Sequence, residues 1–146
     1  MAYSLRSCLV LLMSLAFFSG CPTADEDDDV VNCTSDQIPA IVIVSPETGE
    51  FFEDGDNISW ALTVTDADTD AADLSITLQD NSNSQALELD IDVPTPNENG
   101  QTNFTMAADQ LEDGQAVVRV FAEDPDGCSS FEQAVICINE LVGVCL

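Results

Sequence analysis

Beyond Ile38 the apolar residues alternate with polar ones in short runs, and no window of eleven carries an i, i+3, i+4, i+7 stripe. Period two without a helical stripe predicts an all-β domain. The runs are Ala40 to Val44, Ile58 to Thr65, Leu74 to Gln79, Ala86 to Val93, Phe104 to Met106, Ala116 to Ala122 and Phe131 to Ile138. In the second, Ile58, Trp60, Leu62 and Val64 share one face; in the third, Leu74, Ile76 and Leu78; in the fourth, Leu87, Leu89, Ile91 and Val93. Between the runs lie turn formers, such as Ser45-Pro46-Glu47-Thr48-Gly49, Pro94 to Gly100 and Asp124-Pro125-Asp126-Gly127. Seven runs at this spacing predict a single seven-strand immunoglobulin-like β-sandwich of about 100 residues. Its expected core is Leu62, Ile76, Leu78, Leu89, Ile91, Val118 and Val120 with Trp60 and Phe104.

The pattern before Ile38 is different. Arg6 is followed by an apolar run from Cys8 to Phe18, long enough for a signal-peptide core but shorter than the roughly 20 residues of a membrane-spanning helix. The run ends in Phe18-Ser19-Gly20-Cys21, which resembles the lipobox of bacterial lipoproteins, with Phe18 in place of the usual Leu. The resemblance implies a signal peptide over residues 1–20 and lipidation of Cys21. Acyl chains there would anchor the protein to a membrane without a spanning helix, each buried methylene contributing about 0.8 kcal/mol. From Pro22 to Asp36 the chain carries Asp25-Glu26-Asp27-Asp28-Asp29 and few large apolar residues, which predicts a disordered acidic tether over 21–36 and a sandwich over 37–146.

Charge then removes whole classes of function. The 146 residues hold 2 Lys+Arg against 28 Asp+Glu and no histidine, for a net charge of −26. A polyanion is excluded from nucleic-acid binding. No lysine exists for a Schiff base, and no imidazole for a catalytic triad or a zinc site. A carboxylate-based hydrolase is compatible with the residue types. It lacks a basic group to hold a substrate, and a sandwich of this size offers little concave pocket.

Taken in order, Ile43-Val44-Ser45-Pro46, Gly55 to Trp60, Val64-Thr65-Asp66-Ala67-Asp68, Leu111 to Gln115 and Val120 to Gly127 resemble the bacterial immunoglobulin-like, cadherin-like and PKD-like modules of extracellular proteins. The resemblance covers Ile38 to Glu140 and implies a non-catalytic binding or adhesion module. An antibody-type domain is disfavoured, because the tryptophan falls on the second predicted strand and no cysteine pair joins the second and sixth.

With Cys8 removed and Cys21 lipidated, Cys33, Cys128, Cys137 and Cys145 remain, an even number in an oxidising compartment. Cys137 lies nine residues along the last strand from Cys128, about 30 Å, so those two cannot pair. The first and last strands of such a sandwich run parallel, which favours Cys33 with Cys128 and Cys137 with Cys145.

One constellation carries candidate chemistry. Asp66, Asp68, Asp70 and Asp73 fall in the loop after the second strand, and Asp124 and Asp126 in the loop after the sixth. Counting strands down and up places both loops at one pole, with Asp36 beside them. Crowded carboxylates must splay into water, raise a pKa or bind a cation, and hard oxygens on flexible loops suit Ca²⁺. The D-x-D-x-D spacing begins like an EF-hand, but Ala71 stands where glycine is required and Thr77 where the closing Glu would be, so it is not one. A second acidic group, including Glu47, Glu50, Asp54, Asp56, Asp109 and Asp113, is expected at the opposite pole, which also suits general solvation. The sequence thus points to a lipid-anchored, extracytoplasmic protein of a bacterial envelope, with a Ca²⁺-stabilised binding module for an unidentified protein or glycan. The competing reading is a passive structural or accessory lipoprotein without a specific metal site.

Overall fold

The computed structural model describes residues 32–83 and 85–139. Within them eight strands form two facing sheets, the first of order β1-β3-β6 and the second of order β2-β8-β7-β4-β5. The strands are β1 (Ala40–Ser45), β2 (Phe51–Phe52), β3 (Asn57–Thr65), β4 (Ser75–Asp80), β5 (Leu87–Leu89), β6 (Gln101–Ala107), β7 (Gly114–Glu123) and β8 (Ser129–Ile138). All pairings are antiparallel except β2 with β8, where Phe51 lies opposite Cys137 and Phe52 opposite Ile138. The all-β sandwich expected from period-two alternation is therefore the observed fold.

The alternation works because side chains leave a strand to opposite faces. Along β3, Ile58, Trp60, Leu62 and Val64 are all buried, while the residues between them are exposed or half-buried. Along β7, Ala116, Val118, Val120 and Ala122 do the same from the other sheet. Together with Leu74, Leu78, Leu89, Met106, Leu111 and Ile136 they form one core. Each fully buried Leu, Ile or Val contributes about 1.5 to 3 kcal/mol. Trp60 and Phe104, directly opposite in the β3–β6 register, stack with centroids 6.0 Å apart. Phe104, Ile76 and Ile91 are half-buried at the margin of this core rather than inside it.

Four expectations are corrected. The two-residue β2 is an eighth strand, too short to show any alternation in the sequence. The expected strand from Ala86 to Val93 shrinks to Leu87–Leu89, because the chain there leaves β4 and crosses to the other sheet, where Pro94 C=O accepts a hydrogen bond from the buried Thr102 hydroxyl at 2.7 Å. Leu87, expected to face the core with Leu89, is instead 64% exposed, at the start of β5, the outer strand of its sheet. Finally, the fold takes hold of the chain before Asp36: Cys33 is bonded to Cys128, and Gln37 N–H donates to Thr34 C=O at 3.0 Å. The signal segment 1–20, Cys21 and the first part of the expected tether lie outside the described residues. No helix among the described residues is long and apolar enough to cross a membrane.

One glycine is dictated by close approach. Gly100, at φ +74°, ends the loop before β6, and its C=O accepts Val64 N–H at 2.8 Å. A Cβ at this position would stand 1.9 Å from Val64 O. Only glycine combines that backbone conformation with that contact.

Candidate metal centre

β3 ends at Thr65 in one sheet and β7 ends at Glu123 in the other, and both run out at the same pole of the sandwich. The residues that follow therefore meet. Asp66, Asp68 and Asp124 each present a carboxylate oxygen, and the three atoms lie within 4.8 Å of one another. Two stretches of chain nearly sixty residues apart supply this group, the first through the D-x-D spacing and the second through the turn that starts the β7–β8 hairpin.

Each carboxylate is held by its own loop. Asp66 Oδ1 accepts the Asp68 N–H at 3.1 Å, an Asx turn that folds the loop back on itself. Asp124, only 5% exposed, uses Oδ1 to accept the N–H groups of Asp126 at 2.9 Å and Cys128 at 2.8 Å. Its backbone closes the same turn, with Asp124 N–H donating to Cys128 C=O and Gly127 N–H to Asp124 C=O. The turn is fixed further by the Cys33–Cys128 disulfide, whose Cα atoms are 5.7 Å apart. One wall of the acidic group is thus rigid.

The electrostatics follow from this crowding. Burial pushes Asp66 up, but hydrogen bonds from the backbone and side chain of Asp68 and from the N–H groups of Ala67 and Thr69 outweigh it, leaving Asp66 below the usual carboxylate value. Asp68 is raised, first by its side-chain hydrogen bond with Asp66, then by desolvation and by the negative charges of Asp66 and Asp124. The pair shares a proton most readily, since ionised carboxylates only accept hydrogen bonds. Asp66 Oδ2 is buried and has no hydrogen-bond partner.

Of the acids expected at this pole, Asp70, Asp73, Asp126 and Asp36 do not join the group. Asp70 and Asp73 lie at the two ends of a single 3₁₀ turn, with Asp73 N–H donating to Asp70 C=O at 2.8 Å. Asp126 takes part through its backbone N–H alone. At the opposite pole the acids are tied into turns. Asn139 accepts from Asp54 N–H at 2.8 Å and donates to Asp113 at 2.6 Å, and Glu47 N–H donates to Glu50 at 3.0 Å.

An orphaned, buried carboxylate oxygen beside two further carboxylates is what a hard cation satisfies. Three such ligands fit part of a Ca²⁺ shell of about six to eight oxygens at roughly 2.3 to 2.6 Å, the remainder coming from water or main-chain carbonyls.

Of the cysteines, Cys33 and Cys128 are bonded to each other as expected. Cys137 is also disulfide-bonded. Its expected partner, Cys145, lies outside the described residues.

No protein-family model and no curated protein matches the sequence. Among solved structures, the chain is similar to an endo-β-1,4-mannanase from Thermotoga petrophila, with TM-score 0.52 and 12% identity over 70% of this chain. It spans about a fifth of that enzyme's length, 20%. It is also similar to fibronectin(III)-like modules of Clostridium thermocellum CbhA, with TM-score 0.46 and 18% identity over 68% of this chain and 94% of that one. Titin M4 gives TM-score 0.45 and 16% identity over 73% of this chain and 100% of that one. At these identities the likeness concerns the fold alone.

Proposed function

We propose that this chain is a lipid-anchored protein of a bacterial envelope, held through Cys21. Its immunoglobulin-like sandwich is a non-catalytic binding module, stabilised by Ca²⁺ held between Asp66, Asp68 and Asp124. The observation that carries the cation is the meeting of carboxylate oxygens of Asp66, Asp68 and Asp124 within 4.8 Å of one another, together with a buried Asp66 Oδ2 that has no hydrogen-bond partner. Support for a binding rather than a catalytic role comes from chemistry: Arg119 is the sole basic side chain among the described residues, and it lies over the Phe131 ring at 4.8 Å rather than beside the carboxylate group. The cation's work would be structural, joining the loop after β3 to the turn after β7 and so pinning one sheet to the other.

Thermal melting of the purified chain in EDTA, in Ca²⁺, in Mg²⁺ and in NaCl of matched ionic strength tests the site. Ca²⁺ at ten times its Kd adds about 1.4 kcal/mol. A rise that NaCl reproduces in full would leave only screening of the net charge, the passive alternative. The anchor is tested separately by mass spectrometry of the membrane fraction, where Cys21→Ala should release the protein or block its processing.

A further inference from the structure

The charge of this chain is absent from one of its two sheets. No residue of β1, β3 or β6 is ionisable, although the protein carries 28 acids. β1 is the outer strand of that sheet. Its outward side chains Val42 and Val44 are 57% and 59% exposed. Natural sheets blunt an open edge with charge, proline or a bulge. Here Ala40 to Ile43 pairs with β3 in unbroken register, and the irregularity comes only after Ile43, followed by Pro46.

Across from this edge lies β8. The chain just before β1 and the loop after it are tied to β8, through the Ser130 hydroxyl to Pro39 C=O and through Gly49 N–H to Val135 C=O at 2.7 Å. Between the ties no backbone hydrogen bond joins β1 to β8 among the described residues. The gap is a groove of about 500 Å³ whose walls include Ile41, Ile43, Val44 and Ala134, with Glu47 and Glu132 also lining it.

We propose that this groove receives an extended segment of a partner protein, which adds a strand to the open edge of β1. The segment alternates uncharged residues along its middle and carries lysine or arginine at its ends. The middle must be uncharged because it lies against a sheet without a counter-ion. The ends must be basic because Glu47 and Glu132 line the groove within a strongly acidic molecule. A second copy of this chain is the poorer occupant, since it would bring its own net charge of −26 and the same two glutamates. The inference rests on the reading of the domain as a binding module and gives that module a surface and a ligand class.

The probe is an N-acetylated, C-amidated peptide, Lys-Thr-Val-Thr-Val-Thr-Lys, titrated into the full chain by fluorescence anisotropy. A glutamate-ended counterpart and a version with proline at the centre serve as comparisons. Saturable binding of the lysine-ended peptide is expected, with hydrogen-exchange protection confined to residues 40–45 and 129–136. Affinity should fall at least tenfold for each comparison peptide, and at least tenfold for Val42→Glu and Val44→Glu, exposed positions whose melting temperatures should change little.

Absence of saturable binding up to millimolar peptide overturns the proposal, as does equal binding of the proline version, which would signify charge attraction alone. Protection of β1 that grows with protein concentration without peptide makes a second copy the occupant and also overturns it. If Ca²⁺ stabilisation and membrane retention are found while β1 stays unprotected, only this inference fails. If β1 binds and they are absent, the anchored, Ca²⁺-stabilised reading fails instead.

Discussion

Asp124 Oδ1 accepts the backbone N–H of Cys128 at 2.8 Å, so the carboxylate that faces Asp66 and Asp68 also closes the turn that carries the disulfide. Charge and scaffold meet in one side chain. Asparagine keeps the Oδ1 acceptor and removes the charge, whereas alanine removes both.

Asp124→Asn is therefore expected to abolish most of the Ca²⁺-dependent rise in melting temperature while leaving the cation-free protein within about 1 kcal/mol of the parent. Asp124→Ala leaves two backbone donors without their partner and should cost about 2 to 4 kcal/mol in EDTA. Urea denaturation with and without Ca²⁺ separates the two effects. Equal Ca²⁺ stabilisation of the parent and Asp124→Asn would remove Asp124 from the site.

The Cys33–Cys128 bridge spans 95 residues of sequence, nearly the whole domain. Closing so long a loop restricts the unfolded chain, and the entropy model puts the effect at about 4 to 5 kcal/mol. The Cys33→Ser, Cys128→Ser double variant should lose up to that amount in equilibrium denaturation. A loss confined to the Ca²⁺-bound protein would instead mean that the bridge acts only through the turn at Asp124.

Acidification should act on the carboxylate pair with a definite sign. Asp68 holds its proton more tightly in the folded state, so it adds stability once the pH has fallen to its raised pKa and loses it as the pH rises through that value. Asp66, lowered, contributes stability above the usual carboxylate range and loses it as the pH falls through its own value. In EDTA, the melting temperature should climb as the pH falls from neutrality toward the raised value of Asp68. General repulsion among the acids gives the same trend, so the discriminating quantity is the difference from Asp68→Asn, which should climb less steeply. Identical slopes would assign the whole effect to net charge.

Gly100→Ala places a methyl group against the Val64 carbonyl and forces a positive φ on alanine. The strained conformation alone costs about 1 to 2 kcal/mol. With the clash added, a drop in melting temperature of more than about 8 °C is expected by calorimetry. A drop of a degree or two would mean that the loop before β6 shifts without strain.

The sequence by itself determined the class of the fold and the faces of its strands, because alternation is local: Ile58, Trp60, Leu62 and Val64 must leave β3 on one side whatever lies opposite. Spacing along the chain likewise excluded a Cys128–Cys137 bridge, and counting strands placed Asp66, Asp68, Asp70, Asp73, Asp124 and Asp126 at one pole. It was silent about β2, whose two residues are a strand only because β8 lies alongside, and it set Leu87 inward because periodicity carries no information about whether a strand lies at the edge of its sheet. Selection among the acids was decided only by tertiary structure. Asp66, Asp68, Asp70 and Asp73 look equivalent in sequence, but the last two sit on a 3₁₀ turn outside the group, and the end of β7 in the other sheet brings Asp124 to the first two. The open edge of β1 is of the same kind: Ala40 to Ser45 reads as an ordinary strand, and whether a strand has a neighbour on its far side is a property of the sheet, not of its residues.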